Sequence, residues 1–220
     1  MPSSPLRLLI FILALVFLIG FVQFGLISIA FDKLGLSPES AYLLLLCTLV
    51  GSMINLPLFS LKTDSTLQPR IPSELARWMF FKMPPLAGKI TVAVNVGGAV
   101  VPVAFSLYLI AHNPLGFFQI ATAVAVVAII ARKFSQPIPG VGIGIPMLIA
   151  PIAAALIATI LDPQQRAPLA YISGTLGVLI GADLIRLKDI RNLGTPFASI
   201  GGAGTFDGVF ITGLVAVLLA

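Results

Sequence analysis

Apolar stretches, each about as long as a bilayer core is thick, fill most of this chain. Bounded by charges or by Pro and Gly, they run over residues 7–31, 40–61, 90–111, 115–131, 141–161, 167–186 and 198–220. A transmembrane helix needs about 20 mostly apolar residues to cross roughly 30 Å of hydrocarbon. The pattern therefore predicts an all-α polytopic integral membrane protein, with about seven transmembrane helices in a single transmembrane domain over residues 1–220. Composition agrees, with 58% apolar residues, 10% charged residues and a mean hydropathy of +1.09, where a soluble domain carries about 25% charged residues. What remains between the runs is too short for a separate soluble domain.

The net charge of +5 would point to nucleic acid in a soluble chain, but here the cations gather in alternate loops. Lys62, Arg70, Arg77, Lys82 and Lys89 lie between the second and third runs, Arg132 and Lys133 between the fourth and fifth, and Arg186, Lys188 and Arg191 between the last two. The intervening loops hold only Lys33 and Arg166. Such asymmetry sets membrane orientation, so the N-terminus and the basic loops are predicted to be cytoplasmic and the C-terminus outside. No nucleic-acid partner is expected, and membrane lipids are the expected surroundings. The first run exceeds the 7 to 15 residues of a secretory signal core and no small-residue cleavage site follows it, which predicts an uncleaved first span. The long basic loop near 62–89 contains Ser73, Trp78, Phe80 and Phe81 beside Arg77 and Lys82, the pattern of a capped interfacial helix.

Two segments are rich in Gly and Pro at membrane depth: Asn95-Val96-Gly97-Gly98 followed by Pro102, and residues 137–146 followed by Pro151. Irregular backbone survives in a bilayer only where protein buries it or a wet cavity borders it. The competing reading is kinked helices packed closely on small residues. Both segments start near the predicted cytoplasmic face, so a cavity open to that side would account for them.

Two acids are candidates for chemistry. Asp207 is the only charge between Asn192 and Ala220 and lies in the cluster Gly201-Gly202-Ala203-Gly204-Thr205-Phe206-Asp207-Gly208. Asp183 lies near the end of the preceding run, in Gly181-Ala182-Asp183-Leu184. Ionisable groups inside a membrane are costly and usually serve function. If both face one cavity, they share a proton and titrate as a unit, which is the chemistry of an aspartic peptidase. One carboxylate activates water while the protonated one supports the carbonyl oxygen. Gly201, Gly202, Gly204 and Gly208, with Asn95, Gly97 and Gly98, are then candidate substrate-binding positions where an extended backbone approaches closely. A pairing of Asp183 with Arg186 three residues on is the structural alternative for the first acid. Hydrogen bonding to the glycine turn is the alternative for the second. The same dyad would also suit a proton-coupled or small-solute transporter, or belong to a non-catalytic scaffold.

Other residues carry less. Gln23, Asn55, Asn95 and Ser106 suit interhelical hydrogen bonds, and the Gly177/Gly181 pair suits close helix packing. Cys47 has no partner for an intramolecular disulfide, and His112 has no metal-binding neighbour in sequence. Phosphate-loop, Cys/His zinc and Gly-x-Ser-x-Gly patterns do not occur, so no cofactor and no metal are expected. Nothing in the sequence sets an oligomeric state.

With Asn95-Val96-Gly97-Gly98-Ala99, Gly181-Ala182-Asp183-Leu184, Lys188-Asp189-Ile190 and residues 201–208 in view, the chain resembles a prokaryotic membrane family known as domain of unknown function 1614. That resemblance covers nearly the whole length and implies a polytopic protein of a prokaryotic cytoplasmic membrane. A more distant similarity is to intramembrane aspartyl proteases of the presenilin and signal peptide peptidase type. Those place one catalytic Asp on the sixth span and one in a Gly-x-Gly-Asp motif on the seventh; residues 204–207 here read Gly-Thr-Phe-Asp. This likeness implies a presenilin-like helix bundle, Asp183 and Asp207 as the catalytic pair, and a transmembrane peptide as substrate.

Overall fold

A computed structural model of the chain describes residues 25–62, 89–138, 142–192, 197–202 and 208–220. The first described helix, α1 (Gly25–Lys33), meets α2 (Pro38–Ser52) at a bend of 111°. The local sequence explains the break. Gly35 adopts φ +72°, and Ser37 caps α2 by accepting the Ser40 amide at 3.3 Å, with Pro38 in the first turn.

Beyond Ser52 the apolar run does not continue as a helix. Strand β1 (Asn55–Lys62) pairs antiparallel with β2 (Lys89–Asn95), from Asn55 opposite Asn95 to Lys62 opposite Lys89, with an irregularity between Pro57 and Phe59. Pro57 has no amide to give to a ladder, and such positions belong on edge strands or bulges. On its other side β2 pairs in parallel with β5 (Phe197–Ile200), Thr91 opposite Phe197 through Val94 opposite Ile200. The order is therefore β1-β2-β5, with Ile90, Val92 and Ala93 of the central strand buried. A second, two-stranded ladder joins β3 (Gln136–Ile138) to β4 (Gly142–Gly144).

The remaining elements are helical. β2 runs through a π-helical turn, Val96–Val100, into α3 (Val101–His112). α4 covers Phe117–Phe134, α5 Ile149–Leu161, α6 Arg166–Val178 and α7 Gly208–Leu219. α6 continues through a second π turn, Leu179–Leu184, and a 3-10 turn follows at Asp189–Asn192. Helix α6 is the centre of the bundle, touched by α3, α4, α5 and α7. In the apolar window of α6, 72% of residues are buried, against 22% for α4.

Small residues make this packing close. α5 buries Ala150, Pro151, Ala154, Ala155 and Ala158. A Cβ added at Gly177 would come 2.6 Å from Val127 Cβ, and one at Gly181 would collide with the Ala128 carbonyl. At one end Gln119 Nε2 donates to the Leu161 carbonyl and Asp162 Oδ2, both at 3.2 Å, tying the start of α4 to the end of α5. Lys33 Nζ closes the end of α7 there by donating to the Val217 and Leu218 carbonyls at 3.3 and 3.2 Å.

The all-helical expectation is thus corrected. The described chain is mostly helical, but the second, third, fifth and seventh apolar runs each contain a strand. Among the described residues two helices, Phe117–Phe134 and Arg166–Leu184, are long and apolar enough to cross a membrane, or three if the bent α1/α2 pair counts as one span. Val96–His112, Ile149–Leu161 and Val209–Leu219 are shorter apolar helices. The expected seven long spanning helices are not seen among the described residues, where the second, third, fifth and seventh runs spend backbone on β ladders. The expected interfacial helix in the 62–89 loop and most of the first span lie outside the described residues.

Candidate functional site

The wide π turn at the end of α6 positions Asp183. Such a turn adds a residue to the helical circuit and re-aims the side chains that follow. The half-buried Asp183 carboxylate accepts the Gly201 amide on Oδ2 at 2.8 Å. Gly201 lies just past β5 with φ +79°, and Gly202 follows with φ +87°, conformations that glycine adopts without the penalty a side chain brings.

Gly201 is in turn pressed onto the first π turn. A Cβ there would lie 2.7 Å from Ala99 N, from Ala99 Cβ and from the Gly98 carbonyl carbon. Asn95 holds that turn: its Oδ1 accepts the Gly98 amide at 2.7 Å, and its Nδ2 donates to the Ser52 carbonyl at 2.8 Å and to Asn55 Oδ1 at 3.1 Å. Asn55 Oδ1 also accepts the Ser199 hydroxyl at 2.6 Å. Gly97 fits against the Thr48 carbonyl and the Ser52 amide with no room for a Cβ.

The fold therefore brings Asp183, Gly201, Asn95, Gly97 and Gly98 to one junction, where the end of α2, the sheet and both π turns meet. Gly202 adjoins it, and Gly208 opens α7. Asp207 and Gly204 lie outside the described residues. Sequence reading passed over Ser52 and Ser199, and it took Asn55 for a bond between helices; only its recurrence with Asn95 in a polar-poor stretch hinted otherwise.

Arg186 does not follow the structural alternative drawn for Asp183. Its Nη1 donates to Asp189 Oδ2 at 2.9 Å, its Nε to Ser135 Oγ at 2.6 Å, and its Nη2 to the Arg132 carbonyl at 2.9 Å and to the Ser135 carbonyl. It thereby closes the C-terminus of α4, where a cation also suits the helix dipole, and locks the segment after Asp183 to that helix. His112 is exposed and stacks on Tyr108 with ring centroids 4.0 Å apart. Among the described residues no three His, Cys, Asp or Glu side chains gather to hold a metal.

In this arrangement one carboxylate is fixed by a backbone amide at the exit of an edge strand. β5 pairs on one side with β2, and among the described residues its other edge carries no strand. Such an edge presents backbone donors and acceptors to an extended peptide.

A family model described as Protein of unknown function (DUF1614) matches residues 49–219, a stretch that contains the whole junction. No curated protein and no solved structure matches the chain, so the presenilin-type resemblance gains no support from them.

Proposed function

We propose, for a chain that belongs to the DUF1614 family, an aspartyl peptidase working at membrane depth, or an inactive relative of one, in which Asp183 and Asp207 share one proton. The observation that carries this reading is the bond from the Gly201 amide to Asp183, formed where edge strand β5 ends. A transmembrane peptide that unwinds must find partners for its backbone polar groups, since lipid offers none. The edge of β5 that carries no strand among the described residues would supply them and lead the added strand toward Asp183. Asp207 stands one residue before α7, the helix packed on α6. In the proposed reaction one carboxylate takes a proton from water, the oxygen adds to the peptide carbonyl, and the second carboxyl protonates the developing oxyanion. The first carboxyl then gives its proton to the amide nitrogen as the C–N bond breaks and the amine leaves, while a hydroxyl of the tetrahedral intermediate returns a proton to the second carboxylate. The concentration of Lys and Arg at one end of the bundle favours an orientation with the N-terminus and the basic loops cytoplasmic and the C-terminus outside, in the prokaryotic cytoplasmic membrane that the family resemblance implies.

Two measurements test this. In a Cys47→Ala background, the pair Asp183→Cys and Asp207→Cys should form a disulfide on mild oxidation, which requires Cα atoms within about 7 Å; absence of that bond removes the dyad. In proteoliposomes, cleavage of a transmembrane reporter peptide should disappear in both Asp183→Asn and Asp207→Asn. Cleavage persisting in either variant would overturn the assignment.

A further inference from the structure

The described charges divide sharply between the two ends of the bundle. At one end, Asp32, Glu39 and Asp162 accompany Lys33 and Arg166, and Lys33 is engaged with the carbonyls that close α7. At the other, α4 ends in Arg132 and Lys133, the turn after α6 carries Arg186 and Lys188, and the paired ends of β1 and β2 carry Lys62 and Lys89. These two groups of cations are one region, because Ile90, next to Lys89, shares a small core with Ile190 and Leu187 beside Lys188. The described acids on this side are Asp189, already shared by Arg186 at 2.9 Å and Arg132 at 3.5 Å, and Asp183, half-buried in the turn that precedes Arg186 and bonded to the Gly201 amide.

Lys62, Lys89, Lys133 and Lys188 are exposed, and the Arg132 side chain keeps 40% of its surface. Exposed apolar groups lie at the same level: Phe134, Ile138 and Phe197, with the Lys133 ammonium 5.9 Å from the Phe134 ring centre. Cations interleaved with exposed aromatic and aliphatic side chains at the end of apolar helices suit a place where headgroup phosphate lies above acyl chain. A soluble anion would use the cations and leave the apolar rim without a role.

We infer that this end of the bundle is a binding surface for anionic phospholipid, the phosphodiester engaging Arg132, Lys133 and Lys188 on one side and Lys62 and Lys89 on the other, with the acyl chains along Phe134 and Phe197. The inference is independent of any chemistry at Asp183. Each engaged cation strengthens retention of an anionic lipid by roughly fivefold at low salt.

The test uses the full chain in maltoside micelles, with thermal unfolding followed as 1-palmitoyl-2-oleoyl-phosphatidylglycerol or the matching phosphatidylcholine is added. Phosphatidylglycerol should raise the midpoint well beyond phosphatidylcholine, and 0.5 M NaCl should shrink the increment, as screening requires. The triple variant Lys62→Gln, Lys133→Gln, Lys188→Gln should lose most of it. Equal effects of the two lipids, or an undiminished increment in the triple variant, would overturn the inference. So would full reproduction of the increment by inorganic phosphate, which would assign the cations to a soluble anion. Should the triple variant fail to fold, the lipid comparison and its salt dependence in the unaltered chain decide by themselves.

Discussion

Asp183 and Gly201, eighteen positions apart in sequence, form the bond that joins the end of the central helix to the sheet. Through Gly201 the carboxylate is also coupled to Ala99, and so to the turn that Asn95 caps. The bond is accordingly a feature of the fold as well as of the proposed chemistry, and the two roles separate by substitution. Asp183→Asn keeps an acceptor oxygen and should stay within about 1 kcal/mol of the native stability. Asp183→Ala leaves a buried amide without its partner and should lose about 1 to 3 kcal/mol. Unfolding in mixed detergent compares them, and equal losses would show that the bond contributes nothing.

Gly201→Ala should be among the most damaging single-methyl changes in the chain. It adds a side chain at φ +79° and drives it into Ala99. The left-handed penalty of about 1 to 2 kcal/mol is joined by overpacking of about 1 to 3 kcal/mol. Gly35→Ala isolates the first contribution, because Gly35 has φ +72° and open space around it. The difference between the two variants measures the contact, and similar losses would remove it.

Replacing Arg186 by Lys preserves charge and discards geometry. A single ammonium cannot reach Asp189, Ser135 and the Arg132 carbonyl together. Arg186→Lys should therefore cost about 2 kcal/mol, and Arg186→Gln about the same or slightly more. A double-mutant cycle with Asp189→Asn should return a coupling of about 1 kcal/mol; zero coupling would mean that the carbonyl contacts carry the whole effect.

Tyr171 presents the opposite case. It is fully buried, and among the described residues its hydroxyl and that of Thr175 make no well-formed hydrogen bond, the two lying beside one another, while its ring packs edge-on against Phe105 at 4.9 Å. Tyr171→Phe removes the desolvated oxygen and keeps the ring, so stability should be unchanged or raised by up to about 1 kcal/mol. Tyr171→Ala should lose about 3 to 5 kcal/mol. A loss of more than about 1 kcal/mol in Tyr171→Phe would reveal a partner for the hydroxyl.

Much of the junction was legible in the sequence. Asn95, Gly97, Gly98, Asp183 and Gly201 stood out as polar or backbone-permissive positions in apolar surroundings, and the structure assembles them. The strands were not legible, since alternation identifies a strand only when one face is wet. Here β2 is flanked by protein on both sides and reads as a continuous apolar run, as buried strands do. The choice of partner for Arg186 was equally hidden. Asp183 and Asp189 lie three residues to either side of it, and only the π turn, which no local sequence rule specifies, decides between them.

The buried face of α5, built from Ala150, Pro151, Ala154, Ala155 and Ala158, meets Gly174 of α6 with Ala154 Cβ 3.4 Å from where a glycine side chain would begin. Only glycine is smaller than the alanines that fill four of these five positions, so nearly every mutation there adds volume that the neighbours have little room to absorb. Sequence drift along this helix is thereby steered onto its exposed side, where Ile152, Leu156 and Ile160 can trade one apolar shape for another. The seam thus fixes the helix's distance from α6, while its outer surface can change shape without disturbing that spacing.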